Sequence, residues 1–388
     1  MIPSYYTFVH KSKLINGKLA LEQIPPALDQ VSARNPLLIT DATTSRSMLK
    51  TVASAFARTA NPITVYDRVP AAVDESVIRE IADVYHETAS NAILALGGNT
   101  VIDTAKGVNV AVSQPGVNFA DIQGYDTISG PLRPFFAIPT MVQARACINM
   151  SMKVASGTQA YAMLSPMLMP SAAVVDPRMM LPGSRLAIAA GIAATLFRAV
   201  ESATGPQQNP VSKAFAYCAL DLLKDDLGKV LKNNGEGALL AGITSANVLA
   251  DVALSNTTQG LGFAIARAVT GGGATPGDAA VGMMLPELMK YRIENNGSVD
   301  TTARLLLALV GPDQYSETPA DKRPEAALEA VGAFIRRIQK AGGKELTMAG
   351  MGVESRLDEI AGAVVDNTDR LGGETVSREQ VMTILKSA

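Results

Sequence analysis

The stretch Asn91–Gly107, NAILALGGNTVIDTAKG, limits what this chain can fold into more than any other. An apolar run, Ile93 to Leu96, stops at Gly97 and Gly98, and an amphipathic pattern begins two residues later. A buried strand feeding a tight glycine turn and then a helix is how α/β proteins hold phosphate. The glycines let the backbone approach the anion, and the free N–H groups of the first helical turn point at it. Thr100 is placed to cap that turn, and Asp103 to favour the positive end of the helix dipole. A glycine pair alone also fits an ordinary strand–helix corner, so the rest of the chain has to decide.

The flanking segments repeat the alternation. Residues 19–32 read as a helix after a strand at Tyr5–His10. Pro36-Leu-Leu-Ile-Thr-Asp41 reads as a buried parallel strand ending in an acid. A carboxylate there can accept from a ribose hydroxyl and repel a 2′-phosphate; it can equally cap the helix expected from Ser45 to Arg58. A strand at Ile63–Val69, a helix at Glu75–Ser90, the central strand, a helix at Val101–Ser113 and a strand at Pro134–Thr140 follow. His86 falls on the second of these helices and reads as a packing or surface residue. This pattern predicts a doubly wound parallel nucleotide-binding domain over residues 1–180. From Pro182 helical periodicity takes over, punctuated by Gly205-Pro206, Gly271–Gly273, Gly342-Gly343 and Gly372-Gly373. The spacing predicts a helical domain over 181–388, with helices at 185–203, 210–231, 237–252, 261–269, 281–295, 301–309, 324–341, 354–368 and 377–387. The glycine cluster 271–277 reads as a mobile loop.

Of the 388 residues 47% are apolar and 18% charged, enough for two full cores, and the net charge of −2 with no run of like charges argues against a nucleic-acid surface. Two cysteines, Cys147 and Cys218, without a CxxC fit a reducing cytoplasm and leave no cysteine zinc site. The first residues lack the layout of a signal peptide, and the apolar stretch Leu186–Phe197 is too short to span a bilayer. The expectation is a cytoplasmic protein with no membrane partner. Both histidines, His10 and His86, lie in the first quarter, so later residues do their chemistry without imidazole. A Cys–His nucleophile at Cys147 and a GxSxG elbow are both missing from the pattern.

Taken in order, these segments resemble the iron-containing (group III) alcohol dehydrogenase family, with its dehydroquinate synthase-like fold, over nearly the whole chain. ALGGNTVIDTAKG resembles that family's GGGSxxDxAK turn, with Asn99 for the third glycine and Thr100 for serine. LLITD, FFAIPT, VVDP (Val174–Pro177), MMLP (Met283–Pro286) and the closing SREQVMTILKSA resemble further segments. The resemblance implies a dinucleotide site at Asp41, Gly97, Gly98, Asn99, Thr100, Asp103 and Thr140, NAD being favoured over NADP by Asp41. It also implies an active site between the domains, a small-molecule substrate and assembly as a dimer. Where that family binds a divalent metal through one Asp and three His, this chain has Ala194, Arg198, Phe263 and Gly277, so no metal of that kind is expected. The loop TTxGTGSE becomes Thr140-Met-Val-Gln-Ala-Arg145-Ala-Cys147, and an expected lysine falls at Gln159.

Arg198 and Arg267 stand in helices that are otherwise apolar or small. Two guanidiniums in a low-dielectric cleft can bind a small anion, or stabilise negative charge on a substrate oxygen in the metal's stead. On this reading the chain is a metal-independent oxidoreductase acting on a small, anionic alcohol, aldehyde or ketone, with Asp278, Tyr161 or water as proton donor. The competing reading pairs these arginines with Glu201 or Asp278 as structural ion pairs. On a third, the chain is a non-catalytic nucleotide-binding or scaffold homologue, which would also account for the lost ligands.

Overall fold

The computed structural model describes residues 5–57, 59, 62–205, 208–233, 235–258, 260–270, 276–296, 299–343, 353–371 and 376–387. The chain divides into two compact units. One comprises Val9–Pro182 with Gly237–Thr244; the other comprises Met1–Phe8, Gly183–Glu236 and Ser245–Ala388.

In the first unit a six-stranded sheet is built from β1 (Lys13–Asn16), β2 (Pro36–Ile39), β3 (Thr64–Tyr66), β4 (Ala92–Gly97), β6 (Phe135–Pro139) and β9 (Ala172–Val175). A small second sheet holds β5 (Gly124–Tyr125), β7 (Ser151–Ser156) and β8 (Gln159–Leu164). All pairs in the large sheet are parallel, in the order β1-β9-β6-β4-β2-β3. β2, β4, β6 and β9 are buried at every position, which is why they read as unbroken apolar runs. Helices α1 (Ile24–Gln30), α2 (Arg46–Phe56), α3 (Glu75–Glu87) and α4 (Asn99–Ser113) connect these strands. From β2 the chain steps outward to β3. It then returns past β2 to β4 and proceeds the other way through β6, so the strand order reverses between β2 and β4. The carboxyl ends of strands at such a reversal are where open α/β sheets bind ligands.

Two expectations need correction here. No strand forms at Tyr5–His10: Tyr5 is 82% exposed, and the sheet begins at Lys13, whose N–H bonds to Ser171. Aromatic alternation gave a strand pattern without an available ladder. The antiparallel hairpin β7–β8 was not anticipated, because Met152 and Val154 alternate with polar residues only briefly.

The second unit is helical: α5 (Arg185–Thr204), α6 (Pro210–Val230), α7 (Gly237–Leu254, its first half in the other unit), α8 (Leu261–Thr270), α9 (Pro276–Met283), α10 (Leu285–Asn296), α11 (Val299–Val310), α12 (Pro312–Glu317), α13 (Arg323–Gly342), α14 (Leu357–Leu371) and α15 (Arg378–Ser387). Most of the expected glycine loop, residues 271–275, lies outside the described residues, and Pro276 already begins α9. The helix expected at 281–295 is two, α9 and α10, separated at Met284.

By length and composition α5 and α7 are each long and apolar enough to cross a membrane. They are instead core helices, with 83% and 72% of their apolar windows buried. The apolar stretch at 186–197 thus continues as helix through Arg198 and Glu201, because both charges are paired inside the core.

Candidate active site

At the carboxyl edge of the large sheet, the predicted cofactor residues come together. Gly97 ends β4 opposite Pro139 of β6, and the Thr140 N–H donates to the Gly97 carbonyl (3.2 Å). On the other flank Thr40 continues β2, and its hydroxyl donates to the Leu96 carbonyl (2.6 Å). Asp41 follows one residue later. Its Oδ1 accepts from the Thr43 N–H (2.9 Å) and hydroxyl (2.6 Å), a local turn that fixes the carboxylate. Asp41 is therefore not the cap of α2; Ser45 is, accepting from the Met48 N–H.

Gly98 is the N-cap of α4 in an extended conformation, and no side chain caps this helix end. Thr100 is consequently not a cap: it lies inside the helix, its hydroxyl 3.5 Å from the Ala71 carbonyl. Asp103 is likewise beyond the first turn and pairs with Lys106 (3.3 Å) rather than with the helix end. Asn99 ties the turn to the loop after β6, donating to the Gln143 carbonyl (2.8 Å) and accepting from the Ala146 N–H (3.0 Å). The asparagine at the third glycine position and the altered loop thus fit each other.

Lys106 is not among the residues singled out from the sequence. Its side chain is fully buried, and its ammonium donates to the Asn149 carbonyl, Asn149 Oδ1 (2.6 Å) and the Ser151 carbonyl (2.9 Å). Burial lowers its pKa, with Asp103 opposing. The only signal in the sequence is a lysine three residues after Asp103 within the otherwise uncharged pattern of α4.

In the helical unit α5 and α8 both pack on α9. These three helices carry Ala194 and Arg198, Phe263, and Gly277 respectively. Arg198 is 1% exposed. Its Nε and Nη2 donate to Asp278 Oδ2, the former at 3.0 Å, and Asp251 Oδ1 lies 3.5 Å from Nε. Burial acts to lower the Arg198 pKa, but the facing carboxylates of Asp251 and Asp278 outweigh it and raise it, so the guanidinium stays charged. Nη1 is buried with no hydrogen-bond partner among the described residues.

Arg267 does not share this environment. It is the exposed position of a largely buried helix, where a long cationic side chain reaches water. Glu201 pairs not with Arg198 but with Arg292 (2.9 Å), both 1% exposed; sequence reasoning had no means of finding that partner. Tyr161 stands on the β7–β8 hairpin, its hydroxyl donating to Gln159.

Fold and site together define a protein of two units, one with a glycine turn at the carboxyl edge of a parallel sheet and one with a buried guanidinium. The chain belongs to the iron-containing alcohol dehydrogenase family: residues 11–177 match "Iron-containing alcohol dehydrogenase" and residues 187–388 match its C-terminal domain. It is 26% identical over 259 residues to the NAD-dependent methanol dehydrogenase of Bacillus methanolicus, covering 66% of this chain and 68% of that protein. It is also 26% identical to the 1,3-propanediol dehydrogenase of Citrobacter freundii, covering 60% of this chain and 61% of that one. Among solved structures it shares its fold with a 1,3-propanediol oxidoreductase (TM-score 0.83, 19% identity, 99% of each chain). A sulfoacetaldehyde reductase from Bifidobacterium kashiwanohense in complex with NAD+ is similar too (TM-score 0.81, 14% identity, 99% of each chain).

The family's name implies iron. The residues at the four positions do not fit it: they offer a methyl group, a guanidinium, a phenyl ring and a glycine, and the guanidinium already holds two carboxylates. No group of three or more His, Cys, Asp or Glu side chains able to hold a metal occurs among the described residues.

Proposed function

We propose that this protein is a NAD-dependent oxidoreductase that interconverts a small, uncharged alcohol with its aldehyde or ketone without a divalent metal. The observation that carries this reading is Arg198: a permanently charged, buried guanidinium with Nη1 free, standing where the resemblance puts a metal ligand. The nicotinamide, when bound, supplies or accepts the hydride. Gly97, Gly98 and the uncapped first turn of α4 hold the pyrophosphate. The second oxygen of Asp41 accepts from the ribose hydroxyls, which favours NAD over NADP. Arg198 Nη1 donates a hydrogen bond to the substrate oxygen, and water supplies the proton that the alkoxide takes up on reduction. Asp278 and Asp251 hold the guanidinium in one orientation.

An anionic substrate would need the two guanidiniums to act together. Arg267 is exposed, and Arg198 faces two carboxylates, a formal excess of one negative charge (+1 − 2 = −1). That balance favours an uncharged substrate, in keeping with the methanol and 1,3-propanediol named for the relatives.

NADH oxidation with a panel of short aldehydes, on protein stripped with chelator, tests the reading. Turnover should survive chelation. It should fall about 10²–10³-fold in Arg198→Gln, with NADH affinity retained, as expected for loss of one donor to a developing oxyanion. Turnover that returns only with added iron or zinc would overturn it. The non-catalytic alternative is favoured by one observation, the Met141 side chain lying over Gly98.

A further inference from the structure

The second glycine of a phosphate-binding turn is there so that the backbone can come close to the pyrophosphate. In this chain that space is already filled. A Cβ placed on Gly98 would lie 3.0 Å from Met141 Cε and 3.2 Å from Sδ. At Gly97, the last residue of β4, the corresponding Cβ would instead strike Val101 of α4 at 2.7 Å, so that glycine is required by packing and Gly98 is not. We propose that Met141 sets the affinity of this site for its dinucleotide: its thioether tip occupies the phosphate cradle and has to withdraw before the pyrophosphate can bind. This inference rests on the dinucleotide reading above.

Three features make the tip, rather than the loop, the moving part. The backbone on either side is held: Thr140 bonds to Gly97 and Leu181, and Asn99 grips residues 143 and 146. Further along, Lys106 fixes Asn149 and Ser151. Met141 itself is 43% exposed, with open solvent to swing into. An unbranched thioether crosses rotamers readily and makes no hydrogen bond that would hold it over the helix end. The covering group is also apolar at a helix end whose unsatisfied N–H groups favour an anion. Its displacement therefore exchanges a poor neighbour for a good one.

A tip that covers the cradle about 90% of the time lowers apparent affinity about 10-fold, since only the open fraction binds. NADH and ADP-ribose titrations of wild type, Met141→Thr and Met141→Phe, each checked for folding by its melting temperature, test this. The threonine variant should bind both ligands about 10-fold tighter than wild type. The phenylalanine variant, which keeps an apolar cover but loses the flexible stem, should bind both more weakly. Equal affinities across the three proteins would overturn the role of Met141 while leaving the dinucleotide site intact. If none of the folded proteins binds either ligand, the dinucleotide reading itself fails and takes the inference with it.

Discussion

A guanidinium buried as completely as that of Arg198 persists in a helical core because carboxylates face it, and the pair is worth more to the protein intact than halved. Asp278→Ala would remove the carboxylate that accepts both hydrogen bonds from Arg198 and leave Asp251, 3.5 Å away, as the remaining counter-charge. The expected loss of unfolding free energy, read from denaturant melts, is that of buried donors left unsatisfied, about 1–3 kcal/mol. Arg267→Ala, at an exposed position, should change it by under about 0.5 kcal/mol. His10 gives a pH dependence. Burial, the larger effect, lowers its pKa below 6.5, against a hydrogen bond with the Ser12 backbone. The folded state then binds fewer protons than the unfolded one between that lowered pKa and 6.5. Stability is lost as pH falls through this window. The difference in melting temperature between pH 7 and pH 5 should be smaller in His10→Asn than in wild type. At this scale the sequence was half legible. The partnership of Arg198 with Asp278 was one of two stated alternatives. Asp251 and the Arg292–Glu201 pair were not foreseen, because residues about 50 and 90 positions away meet only through helix packing.

At the scale of elements, the strand–turn–helix of β4 and α4 was readable in full, since a six-residue apolar run and paired glycines leave few alternatives. Its capping was not. Thr100 lies two residues past the cap position at Gly98, and Asp103 lies beyond the first turn, because α4 starts at Asn99 with a bare glycine as its cap. In the helical unit the element that binds the candidate site together is the α5–α9 contact. Gly282 lies against the backbone of α5, where a Cβ would sit 2.5 Å from the Ala193 carbonyl oxygen. A backbone atom cannot rotate away, so Gly282→Ala should force the helices apart. The expected loss is about 1–3 kcal/mol, with turnover falling more than NADH affinity, since Asp278 shares α9 with Gly282. An unchanged melting midpoint in this variant would show that α9 accommodates the methyl group.

For the molecule as a whole, sequence patterning distinguished a parallel α/β unit from a helical one because the two hydrophobic periods differ. It could not foresee that Gly237–Thr244 is grouped with the α/β unit, a matter of contacts rather than of periodicity. The family's fold persists here around a helical core in which Arg198 faces Asp251 and Asp278. The account makes the protein a dinucleotide enzyme whose positive charge is built into the chain. NADH fluorescence on purified protein, titrated before and after exhaustive chelation and compared with NADPH, tests this most directly; the chain has no tryptophan to contribute background. The account predicts binding that chelator leaves unchanged and that is tighter for NADH than for NADPH. Binding that vanishes with the chelator would contradict it, by showing that a metal holds the site after all.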